Sequence, residues 1–463
     1  MSWIKRGGEK RPGFTARERA AVYGAGVAVL VVQLDWFAVN VTLPLVAREF
    51  ATSVTDLHWV LSGFLVAYGA SVTVAGWAAD TLGRRETVLC GLLVFTVASV
   101  ACSTAQNPGW LVAGRISQGV GGGLVVPAAI ALTAARFPDD RRGPVMGTVL
   151  GLAGAGVAMG PFVGGVLAQA AGWRAVFYAN IPVCAVAACL IVVYVPVSAR
   201  PPVRSRFPWW GVALSVTGVV GLLVSTDRAE AWGWYGTAAG VLASAVLLFA
   251  FYAVERRGER PLFGPEVLRD GRLIRVSLTG ATGTAAFGVV SLFAAVYVHG
   301  REASSLAAGL ALLALSVPDA VGAGVAGRLA SRKRGTALMA WSLAALSMAM
   351  AGLAFARAVP VYLVLLAVSG LCMGLAVGLS TALVQTYVPH ENLGAAASFS
   401  LAVKMTITAV VLSLAAASYE SLPSLMGPGS ALSPAGVILC CVAFLALCAA
   451  ASFLPFRSSA ADD

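Results

Sequence analysis

Asp35, Arg115, Asp319 and Lys404 each fall deep inside a long apolar stretch of the sequence. An ionisable group is expensive in hydrocarbon, so such positions point to function by default. Asp35 stands about 15 residues into the first stretch. Burial raises a carboxyl pKa and a nearby cation lowers it, so this acid can be poised to take a proton on one side of a membrane and release it on the other. That role needs a water-accessible cleft; a structural hydrogen bond to a neighbouring helix is the other reading. At about 1.5 Å per residue, Arg115 lies roughly 9 Å in from Gly109, and Asp35 roughly 16 Å in from Val46 at the same end. A long side chain spans that difference if the two helices are neighbours, and Arg115 then keeps Asp35 ionised until substrate or movement separates them. Otherwise Arg115 snorkels to the outer surface.

Asp319 and Lys404 allow two readings: a cation-attracting wall with its counter-charge, or a structural ion pair beside a water-filled vestibule. With Trp36, Phe37 and Asn40 they are the candidates for a substrate pocket. Phe287, Phe293 and Tyr297 are further aromatic candidates, with lipid-facing or core packing as the alternative for each. The eight cysteines lie in apolar stretches, without zinc-ligand spacing or a disulfide framework, and read as small buried hydrophobes. His58, His299 and His390 are scattered, and the chain has no phosphate-binding glycine loop followed by Lys-Ser/Thr. No metal, nucleotide or redox cofactor is expected.

The elements that position these residues follow from composition. Of 463 residues 59% are apolar and 11% charged, with mean hydropathy +0.84. A soluble domain carries about a quarter charged residues, so this surface must face lipid. Fourteen candidate spans run 20–47, 57–79, 86–105, 109–136, 144–170, 174–196, 208–226, 235–254, 274–298, 304–330, 336–356, 360–388, 394–418 and 434–455. Backbone in lipid must be helix or closed barrel, and these runs lack the polar–apolar alternation of barrel strands. The first run is too long for a cleavable signal and reads as a signal anchor.

With the N-terminus in the cytoplasm, 25 of the 32 Lys and Arg fall in inside segments and five in outside ones. The basic excess is thus a topology signal that puts both termini in the cytoplasm, and nucleic-acid binding is excluded. A shift of 251 residues superposes Gly76 on Gly327, Gly119 on Gly370, Gly123 on Gly374, Pro138 on Pro389 and Gly143 on Gly394. Two six-helix bundles follow, with the substrate site between them near mid-membrane. Residues 1–200 form the first bundle with its cytoplasmic tail, 201–273 an inserted helix pair and cytoplasmic linker, and 274–463 the second bundle. Under the same shift Asp35 maps to Ala286 and Arg115 to Leu366, so any proton machinery belongs to the first bundle alone.

Four segments carry a family resemblance. They are Leu34-Asp35-Trp36-Phe37-Ala38-Val39-Asn40-Val41-Thr42-Leu43-Pro44, Gly76-Trp77-Ala78-Ala79-Asp80-Thr81-Leu82-Gly83-Arg84-Arg85, Leu111-Val112-Ala113-Gly114-Arg115-Ile116-Ser117-Gln118-Gly119 and Gly156-Val157-Ala158-Met159-Gly160-Pro161-Phe162-Val163-Gly164-Gly165. Together they resemble the major facilitator superfamily, specifically its fourteen-span drug:proton antiporters. The second segment is similar to the superfamily's cytoplasmic-loop motif. There Gly76 permits close helix approach, and Asp80 with Arg84 and Arg85, Gly83 among them, forms a conformational latch that breaks and is remade as the halves rock. Plain topogenic charge leaves its acid and glycines unexplained. Gly327-Arg328-Leu329-Ala330-Ser331-Arg332 echoes it with Ser in the acid's place, which implies a weaker latch.

The fourth segment resembles the motif associated with antiport. Its glycines 156, 160 and 164 make a smooth face, with Gly165 beside it and Pro161 adding a bend; generic close packing is the alternative. The resemblance implies an all-α integral membrane exporter in the cell membrane, not an enzyme. Its partners are protons, the lipid bilayer and a small amphipathic, often cationic compound, and a monomer is expected. Per proton, about 2.3 kcal/mol from 100 mV and roughly 1.4 from a pH unit sustain a several-hundred-fold gradient. Export of one endogenous metabolite, lipid flipping and a non-transporting sensor remain alternatives.

Overall fold

The computed structural model describes residues 14–52, 57–197, 208–257, 262–263, 265–299, 305–330, 332–356, 358–425 and 433–453. Among these residues it is helical without strands. The long helices are α1 (Ala16–Glu49), α2 (His58–Thr81), α3 (Arg84–Ser103), α4 (Pro108–Arg136), α5 (Asp139–Ala171), α6 (Arg174–Tyr194), α7 (Trp209–Asp227) and α8 (Ala229–Arg257). A single turn, α9 (Pro265–Arg269), intervenes before α10 (Gly271–His299), α11 (Ser305–Leu329), α12 (Arg332–Phe355), α13 (Val359–Tyr387), α14 (Leu393–Leu425) and α15 (Pro434–Ala451). Thirteen of them are long and apolar enough to cross a membrane, and α15 is a shorter apolar helix of 18 residues. The fourteen expected spans thus match fourteen helices in order, with α9 as an addition in the linker.

Local chemistry sets the boundaries. Thr15 caps α1 in a reciprocal capping box with Glu18, and Asn107 caps α4 ahead of Pro108. Gly83, at φ +116°, turns the chain between α2 and α3, a conformation that favours glycine. Gly233, at φ +63°, interrupts the start of α8, so its continuous part begins where the apolar pattern does.

Glycines set the packing. In α4, a Cβ on Gly121 would fall 2.7 Å from Phe95 N, and one on Gly123 2.6 Å from Tyr68 O. This helix therefore lies at backbone distance from both α3 and α2. The α7–α8 pair leans on α2 and α14. Its linker is fastened by the buried Glu255 carboxylate, which accepts from the Leu262 and Phe263 N–H groups at 2.8 and 3.0 Å. Phe263 then packs edge-on against Phe251 of α8 and Phe399 of α14.

The eight cysteines are free thiols. Cys102, Cys184 and Cys372 are buried, but Cys90, Cys189, Cys441 and Cys448 lie on the outer helix surface, so the buried reading fails for those four. In a membrane an apolar thiol is as well solvated by lipid as by protein, and hydropathy cannot separate the two.

Candidate functional site: a buried acid and two seams

Asp35 lies neither in lipid nor in an open cleft. It is fully buried inside the first bundle, where α1, α3, α4 and α6 converge. Arg115 Nη1 donates to its Oδ2 at 2.5 Å. Asn180 Nδ2 of α6 donates to Oδ1 at 2.6 Å, and Gln118 Nε2 approaches the same oxygen at 3.5 Å. The donors are themselves held. Gln118 Nε2 bonds Ser99 Oγ at 2.8 Å, Gln118 Oε1 accepts from Arg115 Nη1 at 2.9 Å, and Arg115 Nε reaches Val60 O at 3.1 Å. The guanidinium sits over the Phe64 ring, 4.3 Å from its centroid. Arg115 Nη2, though buried, has no hydrogen-bond partner among the described residues.

The expected reach between Asp35 and Arg115 is therefore met, and Arg115 does not snorkel outward. Asn180, Gln118 and Ser99 had no role in the sequence reading. The signal for Asn180 was an amide inside a span of mean hydropathy 2.4. Chemically, the arrangement is a charge pair with its hydrogen bonds nearly filled. Removing either charge would leave the other buried without its partner, which is strongly destabilising.

The second-bundle charges stay apart. Lys404, buried in α14, donates to Thr381 Oγ1 of α13 at 2.8 Å, not to Asp319. Asp319 is half-buried on α11, and a Cβ on Gly374 would strike its backbone. The expected counter-charge pairing of Asp319 with Lys404 is not formed, because Lys404 faces α10 and α13. Among the aromatics, Trp36 stacks on Phe37 at 5.4 Å, and Phe37 meets Phe287 of the second bundle edge-on at 6.4 Å. Asn40 is exposed one turn along the same helix, its Nδ2 on Trp36 O. Phe293 is instead buried in the second-bundle core against Tyr419, and the side chain of Tyr297 lies outside the described residues.

One end of the molecule, bearing Arg84, Arg85, Arg141, Arg142 and Arg328, is sealed between the bundles. Asp80 of α2 accepts from the Gly394 and Ala395 N–H groups of α14 at 3.0 and 2.8 Å. These amides open a helix, so the carboxylate fills orphan donors at its positive end. A Cβ on Gly76 would come 2.7 Å from Gly394 O, so only glycine lets α2 this close. Arg84 pairs with Asp80 at 3.1 Å. Arg85 does not join them; it turns to Glu86 and to Val192 O of α6.

The other seam joins α5 to α11. A Cβ on Gly327 would meet Gly143 O at 2.6 Å, and one on Gly154 would meet Ala320 Cα at 2.5 Å. Arg142 Nη1 bonds Gln385 O of α13 at 2.9 Å beside it. On the far face of α5, Gly156, Gly160 and Gly164 pack on Leu30, Phe37 and Ala38 of α1. Gly165 has only Val41 near, at 3.9 Å, and is not a packing glycine, while Pro161 is accommodated within the unbroken α5.

The family model of the Major Facilitator Superfamily matches residues 25–412. The chain belongs to the Major Facilitator Superfamily. It is 30% identical over 418 residues to the methylenomycin A resistance protein of Bacillus subtilis (strain 168), covering 85% of this chain and 89% of that one. It is 33% identical over 389 residues to the puromycin resistance protein pur8 of Streptomyces alboniger, covering 80% and 76%. To the multidrug resistance protein Stp of Mycobacterium tuberculosis (strain CDC 1551 / Oshkosh) it is 29% identical, covering 86% and 75%. The human organic anion transporter MFSD10 (TETRAN) shares the fold, with TM-score 0.72 at 17% identity over 94% of this chain and 99% of that one. As a member of this superfamily the chain is a multi-pass membrane transporter of small molecules, not an enzyme.

Proposed function

We propose that this chain exports a small amphipathic compound, a drug, antiseptic or antibiotic, in exchange for protons by rocking between two bundles. The basic end lies in the cytoplasm under this reading, so the sealed seams make the present shape the outward-facing one. Asp35 is the proton carrier and Arg115 its counter-charge; fully buried in the present shape, Asp35 exchanges its proton under this reading only in another conformation, one that opens a water path to it. Asp80 and the glycine contacts hold the cytoplasmic end shut while cargo leaves. Trp36, Phe37 and Phe287 offer apolar faces to that cargo where Phe37 meets Phe287 between the bundles, with Asn40 on α1 and Asp319 and Lys404 in the second bundle as polar groups.

The observation that carries the reading is the fully buried Asp35–Arg115 pair at 2.5 Å. An ion pair of this kind is weak support for stability, since its desolvation cancels much of its attraction. Its retention in hydrocarbon is explained by a charge that must change during the cycle. The three bacterial relatives described above are resistance proteins, which supports export.

The test is proton-driven ethidium uptake into everted vesicles, wild type against Asp35→Asn. The expected loss is about tenfold or more in rate, with dye movement no longer dissipating the pH gradient. Because Asp35→Asn strands Arg115, the double variant Asp35→Asn/Arg115→Gln separates misfolding from uncoupling; it should fold as wild type and remain inactive. Full proton-coupled transport in either variant would exclude Asp35 as the carrier.

A further inference from the structure

The inserted helices border a partly open cavity of about 230 Å³ against α2 and α14. Its wall includes Thr73 of α2, Ser215 of α7, Phe251 of α8, Phe263 of the linker, and Phe399 and Thr406 of α14. It is thus built from both bundles and from the inserted pair. A cavity of about 150 Å³ lined by apolar side chains already takes a benzene ring.

Three observations select the occupant. First, the wall asks little of a polar ligand. Thr73 Oγ1 donates to Ala70 O at 2.7 Å and Ser215 Oγ to Val212 O at 3.2 Å, so both hydrogens are spent within their own helices. Most of the remaining wall is hydrocarbon, to which a cationic or multiply polar molecule would lose its hydration without recompense.

Second, the cavity's depth is marked. Trp209 and Trp210 stand exposed at 74% and 77% at the start of α7, and Trp234 and Tyr235 at 79% and 87% near the start of α8. Exposed Trp and Tyr at both ends of a helix pair mark the two headgroup levels. Ser215 is five residues past Trp210, about 8 Å deeper at 1.5 Å per residue. The Ser215 side of the cavity wall therefore lies at acyl-chain depth in the leaflet on the basic side. Third, the helices around it carry an apolar outer face, with Leu242, Val246 and Phe249 exposed on α8. Whatever enters from that flank comes out of lipid.

We propose that this cavity binds one acyl chain of a membrane lipid drawn from the leaflet on the basic side. The chain packs between α2 and α14 beneath the aromatic trio Phe251, Phe263 and Phe399, and so bridges the two bundles while that end is shut.

The test uses the full chain in nanodiscs of phosphatidylglycerol doped with the same lipid carrying a diazirine within one acyl chain. After photolysis, adducts are mapped by peptide mass spectrometry. Wild type should carry adducts on segments 215–219, 248–251 and 399–407, besides those on the lipid-facing surface at Leu242 and Val246. Ala402→Trp fills the cavity and should lower the cavity adducts at least about fivefold with the surface adducts unchanged. Val219→Phe fills it from α7 and serves if Ala402→Trp elutes as aggregate. Cavity adducts that persist in both folded variants would overturn the proposal. So would adducts in wild type displaced by saturating ethidium, which would make the cavity part of the cargo route.

Discussion

The two seams that close the basic end are related by the internal repeat yet built from different physics. Gly76 on Gly394 and Gly143 on Gly327 are the same contact under the 251-residue shift, so the backbone geometry is duplicated. What the duplication does not copy is the acid. At the α2–α14 seam, Asp80 caps the positive end of a helix and is steadied by Arg84. At the α5–α11 seam, closure rests on glycines meeting backbone, helped by Arg142 on Gln385 O. Ser331, in the acid's place, lies outside the described residues. One seam is a polar fastener that a charge change can release, and the other is a steric fit that only a change of shape can release.

The sharpest way to break the comparison is at the steric seam. A Cβ on Gly147 already collides with the Gly324 carbonyl, so Gly147→Val should prevent closure, at about 1–3 kcal/mol of overpacking. The readout is a spin-label pair at positions 82 and 391 on a cysteine-free background, which should shift to longer distances, with ethidium transport nearly abolished. Asp80→Asn keeps the shape but removes the charge facing the helix terminus. Losing charge-assisted bonds of about 1–2 kcal/mol should move the closed-to-open ratio roughly tenfold, seen as a bimodal distance distribution. The smallest effect is expected for Arg142→Met, which removes the hydrogen bond to Gln385 O and should slow dye efflux only about threefold. If Asp80→Asn proved more damaging than Gly147→Val, the division into fastener and fit would be wrong.

Most of the architecture was legible before any coordinates. Hydropathy finds long apolar runs because lipid forbids unpaired backbone, and the helices α1 to α8 and α10 to α15 fall where those runs predict. Depth counting put Asp35 and Arg115 within reach of one another, since helical rise converts residue number into position, provided that their helices are neighbours. The partners Asn180 and Ser99 were not legible, because depth says nothing about which helices are neighbours. The glycine faces of α5 show the same limit: sequence reveals a smooth face but not that one meets α1 and another α11. Lys404 misled for a related reason. Opposite charges in one bundle invite pairing, but Thr381, on the helix it faces, was nearer to hand.

The seclusion of Asp35 has a mechanical consequence. Its carboxylate is bonded from α4 by Arg115 and from α6 by Asn180, and through Gln118 the same knot takes in Ser99 of α3. Four helices are thereby tied at one polar point, so a substitution at any of these side chains is felt by the other three helices.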